Sequence, residues 1–240
     1  IANLLLVIGG ASLFITLTDN SKSLRLDIFW MVFSTILIFI FGYFFHEISP
    51  VLGLCLTMFL VVILIFMAIS SEKKHGKPNS EIKKENNNFS PLIIGLFFTF
   101  GGIIIVLIAS AMLVYSANKI SISFGIEESL IGVTIVALGT SLPEISASVT
   151  AARKGHPDIA IGNVLGSNLF NSLGILGASS IASYPLTLQT PQAFMDYDLP
   201  IMLFTTIILG VGLFIFKKIN RVFGPILIFI YLVYLVHNFL

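Results

Sequence analysis

Apolar residues run along this chain in blocks of membrane length, and polar positions punctuate them. A helix crosses the hydrocarbon layer with roughly 17–25 predominantly apolar residues. Eight blocks meet that length: 1–17, 28–45, 50–70, 92–118, 126–152, 159–183, 199–216 and 223–239. None alternates in the period of two that marks a membrane β-strand. The pattern predicts an all-α integral membrane protein with about eight transmembrane helices. The first block has no charged n-region or small-residue cleavage site, so it is read as a span and not as a signal peptide. One long polar stretch, 72–90 (EKKHGKPNSEIKKENNNFS), has almost nothing to bury and reads as a solvated linker. The fifth and sixth blocks are themselves interrupted, near 139–143 and 166–168, by glycine and polar residues.

Composition agrees. The chain is 56% hydrophobic and 10% charged, against roughly 25% charged in a soluble domain. The net charge of +1 says little, but its distribution is informative. Counting connections between blocks, the odd ones hold Lys22, Arg25, Lys73, Lys74, Lys77, Lys83, Lys84, Arg153, Lys154, Lys217, Lys218 and Arg221. The even ones hold only Lys119. Basic residues mark the cytoplasmic side. The odd connections and the linker are therefore expected inside, and the C-terminus outside. The expected surroundings are a lipid bilayer, in the plasma or inner membrane, with no nucleic-acid partner.

Several single residues have plain structural readings. Cys55 reads as a core-filling thiol. Trp30 and Tyr43 bracket one block and read as interfacial anchors. Asp158, just after Pro157, reads as a helix cap. Glu127 and Glu128 read as helix-start residues favoured by the dipole.

The chain also resembles itself. Residues 1–12 (IANLLLVIGGAS) lie over 169–180 (LFNSLGILGASS), matching Asn3 with Asn171, Gly9 with Gly177 and Ser12 with Ser180. The two segments run in opposite directions across the membrane, which is the pattern of an inverted repeat.

The chemistry concentrates at 130–180. Glu144 is a carboxylate deep in an apolar block, which is costly and by default marks a functional site. Pro143 lacks an N–H and crowds the carbonyl of Gly139. Carbonyls near 137–139 are thus expected to face protein or a hydrated cavity. Thr140 and Ser141 stand at i−4 and i−3 from Glu144 and share its face. In the next block Asn163, Ser167 and Asn171 form one polar stripe at i, i+4 and i+8. Carboxylate, hydroxyl and carbonyl oxygens suit a hard cation such as Ca²⁺ or Na⁺. With no His or Cys nearby they suit zinc or copper poorly.

GTSLPE at 139–144, with GN at 162–163 and GSNLFN at 166–171, resembles the second α-repeat of the Ca²⁺/cation antiporter superfamily, the sodium/calcium exchanger group. The resemblance implies a ten-helix fold of two inverted halves. It implies that Glu144 is the central ion-binding carboxylate. Thr140, Ser141 and the Ala137 carbonyl would add ligands, Ser167 and Asn171 would match further ligand positions, and Asn3 would match the first-repeat asparagine. Residues 1–71 would then be three helices of the first half, 72–90 the cytoplasmic linker, and 91–240 the five helices of the second half. Two helices and the first repeat's acidic motif are expected upstream of Ile1, so the chain reads as missing an N-terminal segment. Block 92–118 would be one of two long helices that slide to switch access. The implied activity is Na⁺/Ca²⁺ antiport by alternating access, without enzymatic chemistry or a cofactor beyond the transported ions. The alternatives are a cation/H⁺ or K⁺-dependent exchanger, and a non-transporting half that self-associates. Some members carry Asp at the position of Asn171, which bears on stoichiometry and K⁺ dependence.

Overall fold

The computed structural model describes residues 1–21, 23–75, 90–126 and 128–239. Among these, eight helical segments follow the eight apolar blocks: α1 (Asn3–Phe14), α2 (Leu24–Phe45), α3 (Pro50–His75), α4 (Ser90–Phe124), α5 (Gly132–Arg153, entered through a turn at Glu128–Ile131), α6 (Pro157–Ala182), α7 (Phe194–Phe216) and α8 (Phe223–Phe239). Lipid offers no hydrogen-bond partner to the backbone, so spanning segments must satisfy their own amides. Five of the helices, α2, α3, α5, α6 and α7, contain windows long and apolar enough to cross a membrane. Most of the 72–90 linker, and Glu127, lie outside the described residues.

The interruptions differ from the expected ones. α5 continues through Pro143 and α6 continues through 166–168. The irregularity takes another form: wide turns with i→i+5 bonding at Asn3–Val7, Gly132–Val136 and Phe170–Ile175. Such single wide turns recur at functional sites.

Contacts divide the chain into two compact units, Ile1–Met67 with Ser141–Leu240, and Ala68–Thr140. In the first unit, α1 and α8 approach at glycine. A Cβ on Gly224 would lie 2.9 Å from the Gly9 carbonyl and 2.8 Å from the Ser12 hydroxyl. α6 and α3 do the same, where a Cβ on Gly53 would lie 2.6 Å from the Gly177 carbonyl and one on Gly177 2.7 Å from the Gly53 carbonyl. The Ser180 hydroxyl then donates to the Ile48 and Ser49 carbonyls, at 2.9 and 2.8 Å.

Two antiparallel ladders, invisible in the hydropathy pattern, join the loops. Leu17–Thr18 pairs with Lys218–Ile219, and Glu47–Ile48 pairs with Leu188–Gln189. Each ladder joins connections of the same parity, the first with the seventh and the second with the sixth. Chain segments that alternate sides of a membrane require such pairing.

The ladders expose a longer repeat than residues 1–12. A displacement of 171 residues carries Leu17 to Leu188 and Ile48 to Ile219, so Leu17↔Ile219 and Ile48↔Leu188 are images in the same register. The same displacement carries Asp27 to Asp198, Met31 to Met202, Thr35 to Thr206, Gly53 to Gly224 and Leu56 to Leu227. Local geometry is repeated too. Thr35 donates to the Met31 carbonyl at 2.9 Å, and Thr206 to the Met202 carbonyl at 2.7 Å. α2 and α7 both end in a left-handed residue, His46 (φ 59°) and Lys217 (φ 53°). At the displacement of 168 that relates residues 1–12 to 169–180, the Ile8 N–H bonds the Asn3 carbonyl, and the Leu176 N–H the Asn171 carbonyl. Tyr234 donates to Asp198 at 2.6 Å, tying α8 to α7.

The second unit contains α4 and the opening of α5. Ser121 donates to the Ile126 carbonyl at 2.5 Å, and Gly125 takes φ 64° in the turn between them. Leu113 of α4 fills the space over Gly139, 2.9 Å from where a Cβ would stand.

Three single-residue expectations are corrected. Trp30 packs edge-on against Phe29, Phe33, Phe59 and Phe66 beside the α2–α3 core, because its indole meets α3 there rather than the headgroups. Cys55 is exposed on α3 and fills no core. Asp158 lies in the first turn of α6 without capping it; His156 holds the cap position, with no side-chain bond.

Gly53→Ala and Gly224→Ala are expected to lower thermal stability in detergent, since a methyl forced into such a contact costs about 1–3 kcal/mol. Gly212→Ala, whose Cβ would meet nothing within 4 Å, should not. Melting followed by size-exclusion chromatography reads the difference, and equal melting of all three would refute the close-contact account.

Candidate ion-binding site

Asn3 is the junction of the site. It lies at the head of α1, buried at 5% exposure. Its amide nitrogen donates to the Ser167 hydroxyl of α6 at 3.0 Å. Its amide oxygen accepts from the Ser141 hydroxyl of α5, also at 3.0 Å. The Ser167 hydroxyl passes its own hydrogen to the Val164 carbonyl at 3.1 Å. Three helices are thus joined by a directional relay of neutral groups, and no charge is spent on it.

A second link ties α5 to α6 two turns further on. The Asn163 amide donates to the Ser148 hydroxyl at 3.0 Å and, at 3.4 Å, to the Glu144 backbone carbonyl. Ser148 is fully buried. It was missed in the sequence. Its signal was its place at i+4 from Glu144 and i+7 from Ser141, one polar residue more on the carboxylate's face.

Glu144 stands between these links on α5. It is half-buried, and its Oε2 is inaccessible and without a hydrogen-bond partner. The donors around it are committed elsewhere: Ser141 to Asn3, Asn163 to Ser148 and the Glu144 carbonyl. An orphaned carboxylate oxygen carries a desolvation cost that a proton or a bound cation would remove. Among the described residues no three His, Cys, Asp or Glu side chains converge as a metal cluster. The set is therefore one carboxylate with neutral oxygens, which suits hard, exchangeable cations rather than a resident transition metal.

The remaining predicted residues are placed differently. Thr140 and Ala137 lie one and two turns before Glu144 on α5, within the second compact unit. The Thr140 hydroxyl is exposed and donates to the Val136 and Ala137 carbonyls at 3.0 and 3.2 Å, so both groups are engaged within their own helix. Asn171 sits in the wide turn of α6, exposed, its side chain without a partner among the described residues. Asn3, Ser141 and Ser167 are brought into direct contact; Asn171, the image of Asn3, is not joined to them.

The family model for the sodium/calcium exchanger protein matches residues 94–240. The chain belongs to the sodium/calcium exchanger family. It is 31% identical over 242 residues to the CaxA protein of Alkalimonas amylolytica, covering 98% of this chain and 74% of that one. It is 30% identical over 214 residues to the inner membrane protein YrbG of Escherichia coli K12, covering 87% of this chain and 64% of that protein. The solved sodium-calcium exchanger NCX_Mj superposes with a TM-score of 0.67 at 25% identity, over 97% of this chain and 72% of its own. The chain thus spans about two thirds to three quarters of these relatives. Membership makes it a membrane transporter and not an enzyme.

Asn3→Leu removes both arms of the relay and strands the Ser141 hydroxyl in a buried position. The expected cost is about 1–3 kcal/mol of stability in ion-free buffer. Asn171→Leu, on an exposed and unpartnered side chain, should leave the melting temperature unchanged. The opposite order would show that the relay is not what holds α1 to α5 and α6.

Proposed function

We propose that the protein is a Na⁺/Ca²⁺ antiporter whose competing ions share the oxygens around Glu144. The observation that carries this reading is the buried, unpartnered Oε2 of Glu144 among neutral oxygen ligands. Ser141, Ser167, Asn3 and Asn171 are its proposed companions, with Thr140 and the Ala137 carbonyl upstream on the same helix. Ca²⁺ takes six to eight oxygens, and its affinity depends on how many carry charge. Glu144 would supply one charged ligand, and the first repeat's acidic motif expected upstream of Ile1 would supply another. Because the same carboxylate oxygens serve both ions, occupancy is exclusive and exchange follows. The family membership and the fold shared with NCX_Mj support the same reading.

The distribution of basic residues supports odd connections on the cytoplasmic side, and the name of the Escherichia coli relative supports an inner-membrane location. A cation/H⁺ exchanger is the second reading, since a proton also satisfies an orphaned carboxylate oxygen.

Proteoliposomes loaded with Na⁺ should take up ⁴⁵Ca²⁺ on dilution into Na⁺-free medium, and Glu144→Gln should abolish that uptake. Wild-type flux in the variant would remove Glu144 from the mechanism. Uptake driven by an imposed pH gradient without Na⁺ would replace Na⁺ by H⁺ as the coupling ion.

A further inference from the structure

The repeat displacement of 171 residues is kept by the backbone while many side chains differ. Gly210 of α7 takes the position that Phe39 holds in α2. The bare Gly210 lets α2 come close, since a Cβ there would lie 3.0 Å from Val32. Beside this contact a groove of about 300 Å³ runs between α2 and α7, lined by Ile28, Phe29, Val32, Phe33, Ile36 and Val211. Several of these side chains are exposed on the apolar surface of the unit, Phe29 at 53% and Val211 at 51%. The groove is open to the side, where hydrocarbon would lie.

Its end is polar. Arg25 and Phe214 line the groove and also an adjoining pocket of about 280 Å³ formed with Asn20, Ser21, Leu24 and Lys217. The Arg25 guanidinium lies over the Phe214 ring, 5.1 Å from its centroid, at the junction of the two spaces. Neither Arg25 nor Lys217 makes an ion pair among the described residues. Asp27 of α2 is the acid nearest to Arg25 in sequence; Asp19, in the loop before it, is buried and accepts the Ser21 amide. The displacement carries Arg25 to Asp196 and Lys217 to His46. At the image positions the cations are therefore replaced by an acid and an imidazole.

We propose that this groove is a binding site for one anionic phospholipid, its acyl chain between α2 and α7 and its phosphate held by Arg25 and Lys217. The chemistry is complementary at both ends. Apolar walls match an acyl chain, and two cations that make no ion pair among the described residues, beside Ser21 and Asn20, match a phosphodiester. Basic pockets between transmembrane helices on the cytoplasmic side are recognised sites for anionic headgroups, and both cations lie in odd connections, which carry nearly all the basic residues. The image positions, Asp196 and His46, do not repeat the two cations.

Native mass spectrometry of the protein purified in mild detergent, titrated with phosphatidylglycerol or phosphatidylcholine of the same chains, tests this. A one-to-one phosphatidylglycerol adduct is expected, preferred over phosphatidylcholine by roughly thirtyfold if each cation contributes as near a membrane surface. Arg25→Gln with Lys217→Gln should erase the preference. Arg221→Gln, equally basic and outside the groove, should keep it. Val211→Trp, which fills the groove from an exposed position, should weaken both adducts without altering the elution volume. Equal binding of the two lipids, or a preference that survives the Arg25 and Lys217 substitutions, would overturn the proposal.

Discussion

A carboxylate oxygen buried in a membrane protein must be compensated, and the arrangement around Glu144 follows from how that is left undone. Every donor close to it in the helix pair gives its hydrogen to something else. Ser141 donates to Asn3, and Asn163 to Ser148 and the Glu144 carbonyl. The Oε2 is left buried without a hydrogen-bond partner. The directional relay through Asn3 has a second consequence. Because Asn3 donates and accepts at once, it fixes α1 against both α5 and α6 with neutral groups.

That small polar centre is held by apolar packing of an unusual kind. Hydrocarbon gives helices no hydrophobic reason to associate, so contact depends on close fit. The glycine pairs Gly9·Gly224 and Gly53·Gly177 provide it, each bringing one of the repeat-related helices α1 and α6 onto the last helix of the opposite half. The ladders at Leu17 and Glu47 then lock the loops on the two sides in matching register. The same solution is used twice, inverted. Selection of one packing mode therefore served two places, which explains why the images keep Gly53/Gly224 and Leu56/Leu227 while tolerating Leu60 opposite Tyr231.

The spans were legible because hydrocarbon thickness leaves little freedom in length. Glu144 was legible because charge is so rare in such segments, and the motifs around it because their residue types are specific. The longer repeat was not. Between residues 17 and 63 its identities, such as Asp27 with Asp198, are scattered among Val, Ile, Leu and Phe, which lipid-facing positions exchange freely. Two-residue ladders have no pattern to read. The wide turns were anticipated as breaks and misplaced, because Pro143 and Gly166 look disruptive while a helix can absorb both and relieve the strain a turn away. Trp30 was assigned to the interface on its position alone; the rings of α3 that surround it come from distant sequence. The Asn163–Ser148 bond needs two helices to be in place, and a serine at i+4 announces nothing by itself.

The two-fold relation in the backbone has a further consequence at its left-handed helix ends. His46 and Lys217 are geometric twins that differ in chemistry: one is an imidazole, the other an ammonium. Exchanging the roles of the two halves would carry the main chain onto itself but not these side chains. Forms that a perfect dyad would make degenerate therefore differ in energy. The molecule therefore has an intrinsic polarity across the bilayer, written in side chains on a backbone that has none.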